Sequence, residues 1–401
     1  MAWHPFLSQH SGCEHLQALF TLRSLPAEFP KTHSTGSSNH HMSSAPNSLH
    51  RRILALAEGR FGPVTSKTAN GAIMYLPGEV IAVIDSQKQG LTAQDVLGYG
   101  GTIPVVGSVK EGLGLGPTHL LIGIAPTGGR LPEAWRAVIR EALAGGLHIL
   151  SGLHTILSDD PEFASLARSA GVTITDYRKI PPEAEVVAQG TWRTRTAKTV
   201  LTVGTDCNIG KMTTILEVQD ELIRRGFKVD FVATGQTGIL IRGRGMSVDS
   251  VVGDYIAGSV EREIDRSTSE GYEIILVEGQ GALTHMGYSS VTLGLMHGTM
   301  PDAMILCHQP SRLKDNYGLP LPDLRRLIRL HEDIVRFFRE TKVAGIGLSS
   351  VGLTDEESQR FAASIEAETG LPAVDAVRFG ASKLVDALIS VLNLARVAQP
   401  S

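Results

Sequence analysis

The sequence predicts an α/β protein built from two parallel sheets in tandem, and three observations predict it. Short apolar, β-branched runs alternate with helical spacings between residues 50 and 190. Residues 198–214 run from the strand Lys198-Thr199-Val200-Leu201-Thr202-Val203, through a turn bounded by Gly204 and Gly210, into Lys211, Met212, Thr213 and Thr214. The strand Ile274-Ile275-Leu276-Val277 ends in Glu278-Gly279-Gln280-Gly281, an acid at a buried strand tip followed by glycines that let a ligand approach the backbone. The first half reads as a Rossmann-like domain, 50–190, and the second as a P-loop NTPase-like domain, 197–396.

Composition narrows the function. A chain of 401 residues holds two or three domains, and 42% hydrophobic against 19% charged residues fits a globular protein with a sizeable core. A net charge of −4 gives no electrostatic case for nucleic acid. No apolar run reaches membrane-span length, so no membrane partner is expected. Cys13, Cys207 and Cys307 are too scattered for a disulfide framework, which points to a reducing, cytoplasmic setting. The histidines of the opening segment lack metal-ligand spacing, and no metal centre is expected.

In order, residues 1–49 are rich in Ser and His and read as a disordered tail, a transit peptide, or an artefact upstream of Met42. A short strand is expected near Ala72–Tyr75, then buried strands at Val80–Ile84, Ile103–Val106, His119–Ile124, His148–Ser151 and Val172–Ile174. Helices fill Glu133–Leu143 and Pro161–Ala170. Ligands of such a domain sit at strand C-terminal ends, where Asp85, Ser86, Gly128, Gly129, Arg130 and His154 fall. Asp85 equally suits a helix cap, and His154 a hydrogen-bonded loop. No G-x-G-x-x-G fingerprint supports NAD. Residues 181–197 read as the linker.

In the second domain, Ile215, Leu216, Val218, Leu222 and Ile223 share a helical face, stopped at Gly226. Strand, glycine turn and helix together form a phosphate loop, whose N–H groups and helix N-terminus favour anions. The first glycine comes one place early. Met212 stands where a Mg²⁺-binding hydroxyl is usual, so either Thr213 substitutes or the loop holds phosphate without a conventional metal. A strand at Lys228–Thr234 leads to Gln236 and Thr237; helical spacing from Val248 to Ile256 carries Asp249 and Asp254. His285, Tyr288, Ser289, Thr292 and His297 lie in a polar segment. A strand at Ala303–His308, a helix at Leu321–Glu340, a strand at Val343–Ser349, a helix at Asp355–Thr369 and a strand-plus-loop at Leu371–Gly380 precede the last helix.

The early glycine and the Val277-Glu278-Gly279-Gln280-Gly281 turn resemble the dethiobiotin synthetase branch of phosphate-loop proteins. A closer resemblance rests on Ala57-Glu58-Gly59-Arg60-Phe61-Gly62, Gly123-Ile124-Ala125-Pro126-Thr127-Gly128-Gly129, Ser151-Gly152-Leu153-His154, Ala233-Thr234-Gly235-Gln236-Thr237-Gly238, Val291–Gly298 and Gly204–Thr213. These strings are similar to the DgcN-type D-glutamate N-acetyltransferase family, a former unknown-function family pairing a Rossmann-like with a P-loop domain. The resemblance covers roughly residues 52–395.

It implies acetyl transfer from acetyl-CoA to the amine of a D-amino acid, D-glutamate first. The loop Gly204, Thr205, Asp206, Cys207, Asn208, Ile209, Gly210, Lys211, Met212, Thr213 and Thr214 would hold the carrier's phosphates. An ammonium must lose a proton before it attacks a thioester, so a base is needed; Glu278, His285 and Asp206 are candidates in that order. Arg130, Arg242, Arg244 or Arg378 would hold substrate carboxylates, with Gln236 and Thr237 lining the cleft. A homo-oligomer is expected. The rival readings are an ATP/Mg²⁺-dependent carboxylate-activating enzyme of the dethiobiotin synthetase type and a non-catalytic nucleotide-binding protein.

Overall fold

The computed structural model describes residues 51–124 and 129–394; the opening segment 1–49 and Gly128 lie outside them. The first domain holds strands β1 (Ile53–Leu56), β2 (Val80–Ile84), β3 (Val105–Val106), β4 (His119–Ile122), β5 (His148–Ser151) and β6 (Ile174–Asp176). Its helices are α1 (Lys67–Tyr75), α2 (Ala93–Leu97), α3 (Val109–Leu113), α4 (Glu133–Ala144) and α5 (Pro161–Ala170). The second domain holds strands β7 (Lys198–Gly204), β8 (Val229–Val232), β9 (Ile274–Val277), β10 (Ala303–His308), β11 (Lys342–Leu348) and β12 (Ala373–Val374). Its helices are α6 (Lys211–Arg224), α7 (Gln236–Arg242), α8 (Ile256–Ser269), α9 (Ser289–Thr299), α10 (Leu324–Arg336), α11 (Asp355–Thr369), α12 (Ala376–Phe379) and α13 (Ser382–Leu392).

Each sheet has six parallel strands, ordered β3-β2-β1-β4-β5-β6 and β12-β11-β10-β7-β9-β8. Both faces of each are covered by helices, which is why the strands are apolar runs rather than alternating ones. The first order reverses between β1 and β4, and the second around β7. A parallel sheet opens a crevice at such a reversal, beyond the carboxyl ends of the strands.

The two domains dock through α1 and α7. Thr68 and Thr237 hydroxyls meet at 3.1 Å in the buried seam. A Cβ on Gly71 would lie 2.7 Å from the Thr237 methyl and 3.5 Å from Met212 Cε. Leu240 of α7 is fully buried among first-domain side chains. Tyr75 donates to Glu217 at 2.9 Å. Nearby, Arg178 donates to the Gly152 carbonyl, to Gln236 at 3.0 Å and to Asp249 at 2.7 Å. These contacts join the carboxyl ends of β5, β6 and β8, so the two crevices share one cleft.

Four sequence expectations differ from the fold. Ala72–Tyr75, expected as a strand, is the end of α1; a short apolar run fits either state, and packing on α7 selects the helix. Val248–Ile256 is two isolated turns, Val248–Ser250 and Gly253–Tyr255, and the helix starts only at Ile256, beyond Gly253. The polar segment after Glu278 contains a full helix, α9. Gly294 and Gly298 lower its intrinsic propensity. They are there because α9 crosses α8 closely: a Cβ on Gly294 would lie 2.5 Å from Ile256, and one on Gly298 would overlap the Ala257 carbonyl oxygen. The last first-domain strand lies at Ile174–Asp176 rather than Val172–Ile174.

The stretch 181–197 is strapped to α8. The buried Glu261 carboxylate accepts the Gln189 N–H at 2.5 Å and the Thr191 N–H at 2.7 Å, and Ser259 donates to the Ala184 carbonyl at 2.6 Å. A Cβ on Gly258 would overlap the Val186 carbonyl oxygen. Gly258→Ala is therefore expected to destabilise the protein by about 2–3 kcal/mol, because backbone must move to admit one methyl. Urea denaturation measures this; an unchanged midpoint would mean that the strap does not hold α8.

Candidate active site in the cleft between the sheets

The phosphate loop forms because its backbone needs conformations that few residues accept. Gly210, which opens α6, has φ 93°, and Asn208 has φ 52°. Lys211 is buried, and its Nζ donates to the Asp206 carbonyl at 2.7 Å, closing the loop on itself. Burial pulls the Lys211 pKa down from the usual ammonium range. Its stem runs over Gly279, where a Cβ would lie 3.1 Å from Lys211 Cδ and overlap the Thr202 carbonyl oxygen. The glycine after the strand-tip acid thus makes room for the lysine.

Glu278 is buried at the tip of β9. Its Oε2 accepts the Thr234 and Gly235 N–H groups at 3.0 and 3.1 Å, which fixes the start of α7. Burial raises its pKa, opposed by the Lys67 charge and by those N–H groups. The result is a carboxylate that holds a proton more readily than an exposed one, as a general base should.

Asp206 is buried and faces two partners. Arg312 donates to Asp206 Oδ2 at 2.9 Å and to the Cys207 carbonyl at 2.7 Å. His285 Nε2 lies 4.0 Å from Asp206 Oδ1 and 2.7 Å from Asn316 Oδ1. The Gly287 N–H points at His285 Nδ1 at 3.2 Å. A backbone N–H only donates, so Nδ1 must accept and Nε2 carries the ring proton. His285 here is a donor to Asn316 with no lone pair left for base catalysis. Tyr288 stacks on the ring at 4.9 Å and Tyr317 tilts against it at 5.3 Å.

The same tautomer bears on metals. Sequence spacing had pointed to none, yet Asp206, Cys207 and His285 bring one ligand atom each within 4.8 Å of one another. A protonated Nε2 cannot ligate, and the Arg312 guanidinium already occupies Asp206. Asp206 braces the loop: its Oδ1 accepts the Cys207 N–H at 2.7 Å and its Oδ2 accepts from Arg312. Burial raises the Cys207 thiol pKa, which keeps it a thiol.

Met212 is buried in the apolar cluster of the second domain and reaches the α1 seam. Of the neighbouring threonines, Thr214 is buried and Thr213 half-buried.

The proposed carboxylate-binding arginines separate. Arg242 and Arg244 both pair with buried Asp230, at 2.8 and 2.7 Å. Asp230 is at the level of Thr199, five residues before Gly204, so the pair lies roughly 16 Å down the sheet from the loop. Arg378 spans the Ser350 and Leu353 carbonyls and Asp355, each at 2.9 Å. These three arginines hold the fold together. Arg130 is exposed beside Gly129, where a Cβ would overlap the His154 ring. Gln236 and Thr237 do line the cleft, through Arg178 and Thr68. Asp85 caps the turn Ser86–Lys88 and accepts the Phe61 N–H at 2.9 Å.

Two cations near the loop escaped sequence reasoning. Arg312 sits in an irregular stretch after β10 with no motif to mark it. Lys67 opens α1 at the first sheet's reversal, and its charge acts on Glu278, Cys207 and Lys211. Reading Lys67–Tyr75 as the helix after β1 would have found it.

Two family models cover this architecture. The Rossmann-like DUF1611_N domain matches residues 86–180, and the DUF1611_C P-loop domain matches residues 186–385. The chain belongs to the DUF1611 family. It is 41% identical over 288 residues to a D-glutamate N-acetyltransferase of Tritonibacter scottomollicae, covering 71% of this chain and 85% of that one. It is 34% identical over 281 residues to a D-glutamate N-acetyltransferase of a Pseudoalteromonas species, covering 69% and 83%. The crystal structure of a DUF1611 protein from Anabaena variabilis superposes with a TM-score of 0.81 at 36% identity, over 85% of this chain and 99% of that one.

Proposed function

We propose that this protein moves an acetyl group from acetyl-CoA to the amine of D-glutamate. The observation that carries the reading is the similarity to two D-glutamate N-acetyltransferases over most of their length. The cleft suits it chemically. The loop's N–H groups and Lys211 match the diphosphate of a CoA carrier, and Glu278 stands beside them as a buried carboxylate.

In this reading Glu278 takes a proton from the acceptor's ammonium. The freed amine attacks the thioester carbonyl carbon, whose oxygen takes up the negative charge as an oxyanion. The C–S bond then breaks, the CoA thiolate gains a proton, and N-acetyl-D-glutamate leaves. His285 and Asp206 brace the loop through Arg312 and Asn316. A buried methionine at position 212 stands where the Mg²⁺-binding hydroxyl is usual. We assign the enzyme to the cytoplasm, where its carrier is held. We also assign it a homo-oligomeric state, supported by the exposed apolar Leu313, Phe337 and Phe338. Among the described residues no helix is long and apolar enough to cross a membrane.

The test is CoA release from acetyl-CoA by purified protein, with D-glutamate, L-glutamate or no acceptor. D-glutamate-dependent release with N-acetylglutamate as product is expected. Mg²⁺-dependent ATP turnover without acetyl transfer would replace this reading with carboxylate activation.

A further inference from the structure

We propose that Lys67, carried by the first domain, holds the α-carboxylate of the amino-acid acceptor and so presents its amine to Glu278 across the cleft. The proposal rests on the acetyl-transfer reading above.

The fold leaves Lys67 little freedom of position. It is the first residue of α1, which begins at the first sheet's reversal. The next residue, Thr68, is locked to Thr237 at 3.1 Å in the buried seam. The Ala69 N–H donates to the Gly123 carbonyl at 2.9 Å, and Gly71 presses on Thr237 and Met212. Thr237 follows the Gly235 whose N–H binds Glu278 at 3.1 Å, and Met212 follows Lys211. The backbone of residue 67 is therefore pinned beside both the base and the phosphate loop, on the opposite wall.

Three of the other cations at the cleft already have anionic or carbonyl partners. Arg312 is on Asp206, Arg178 is on Asp249 and Lys211 is on the Asp206 carbonyl. Among the described residues, Lys67 has neither an ion-pair nor a hydrogen-bond partner for its ammonium, and it is exposed. An exposed ammonium with no partner, held beside a buried carboxylate, is suited to an incoming anion.

The chemistry assigns that anion. An α-amino acid carries its amine and its α-carboxylate on one carbon. A carboxylate held by Lys67 leaves the amine within reach of a proton acceptor on the facing wall, which is Glu278. A fixed cation at this place also opposes the acceptor's ammonium charge, so the amine gives up its proton more readily. A phosphate of the carrier shares the same affinity for an ammonium, and steady-state kinetics separate the two.

The experiment compares the full-length protein with Lys67→Met and Lys67→Arg, varying acetyl-CoA and D-glutamate in turn. Methionine keeps the length of an exposed side chain and removes only its charge. The expected result for Lys67→Met is a rise of about 10- to 100-fold in KM for D-glutamate, the range for losing a charged hydrogen bond, with KM for acetyl-CoA within twofold. Lys67→Arg should recover part of the loss. The second readout is the acceptor's α-carboxamide, D-isoglutamine. The wild-type protein should prefer the free acid, and Lys67→Met should lose that preference, which a merely structural lysine would not alter. A KM change confined to acetyl-CoA would reassign Lys67 to the carrier's phosphates and overturn the proposal, as would an unchanged acid-over-amide preference. A wild-type protein that acetylates no D-glutamate would overturn the acetyl-transfer reading itself, and this proposal with it.

Discussion

Replacing Lys211 with alanine is expected to weaken CoA binding by about 100- to 1000-fold, roughly 3–4 kcal/mol, the usual range for truncating a buried charged partner. The ammonium is buried, and its nearest acceptor is the Asp206 carbonyl at 2.7 Å, so a phosphate entering the loop offers it a stronger partner. Burial lowers the Lys211 pKa, and a dianion in the loop would raise it again by pairing with the ammonium. Arginine should not rescue the site. Gly204 and Gly279 line the lysine so closely that Cβ atoms there would lie 3.1 Å from its Nζ and 3.1 Å from its Cδ, leaving no width for a guanidinium. Calorimetric titration of wild type and Lys211→Ala with CoA reads the effect. Affinities within twofold would mean that the loop does not hold the carrier.

The other large effect is expected from Glu278→Gln. A positioned general base is worth about 10²–10⁴ in rate, so kcat should fall by about that factor while both KM values stay close to wild type. Glutamine can still accept the Thr234 and Gly235 N–H groups through its carbonyl oxygen, so α7 keeps its start. The pH profile supplies the sharper readout. The base works deprotonated, and burial raises its pKa, so activity is lost as pH falls through a value above the ordinary carboxylate range. Glu278 takes the proton of the acceptor's ammonium, so a single deprotonation, that of Glu278, activates the complex. Plotted as log kcat/KM, the wild type should rise with slope one below the Glu278 pKa and level off above it. The glutamine variant depends on free amine, so it should keep slope one with no level region up to the ammonium pKa. A variant with wild-type kcat, or one that levels off where the wild type does, would remove Glu278 as the base.

The residues that carry these effects differ in how far the sequence marks them. Lys211 and Glu278 stand in unbroken stretches where an apolar strand, a glycine turn and a charged residue follow one another. A strand–turn–helix unit is organised by neighbours in the chain, so its chemistry survives as a spacing. The boundaries of α11, capped by Thr354 and closed by Gly370, were legible for the same reason. By contrast, α9 was hidden because its glycines serve a close crossing with α8, which lowers its local helix signal. The arginines show the opposite error. Arg242 and Arg244 look available in the sequence, and only the fold reveals buried Asp230 beneath them.

The amino-acid sequence by itself determined two parallel sheets, a phosphate loop at the head of the second, and an acid on the neighbouring strand. All of these depend on periodicity and turn chemistry within about twenty residues. Only the tertiary structure decided that the cleft has a wall from each domain. Thr68 meets Thr237 across 169 residues of chain, and Arg312 meets Asp206 across 106. It also decided that His285 carries its proton on Nε2, through one backbone N–H of Gly287. Such pairings leave no trace in local spacing, because they are set by how two finished surfaces pack: α1 lies against α7 with Gly71 at the contact, and that packing puts Lys67 opposite Glu278.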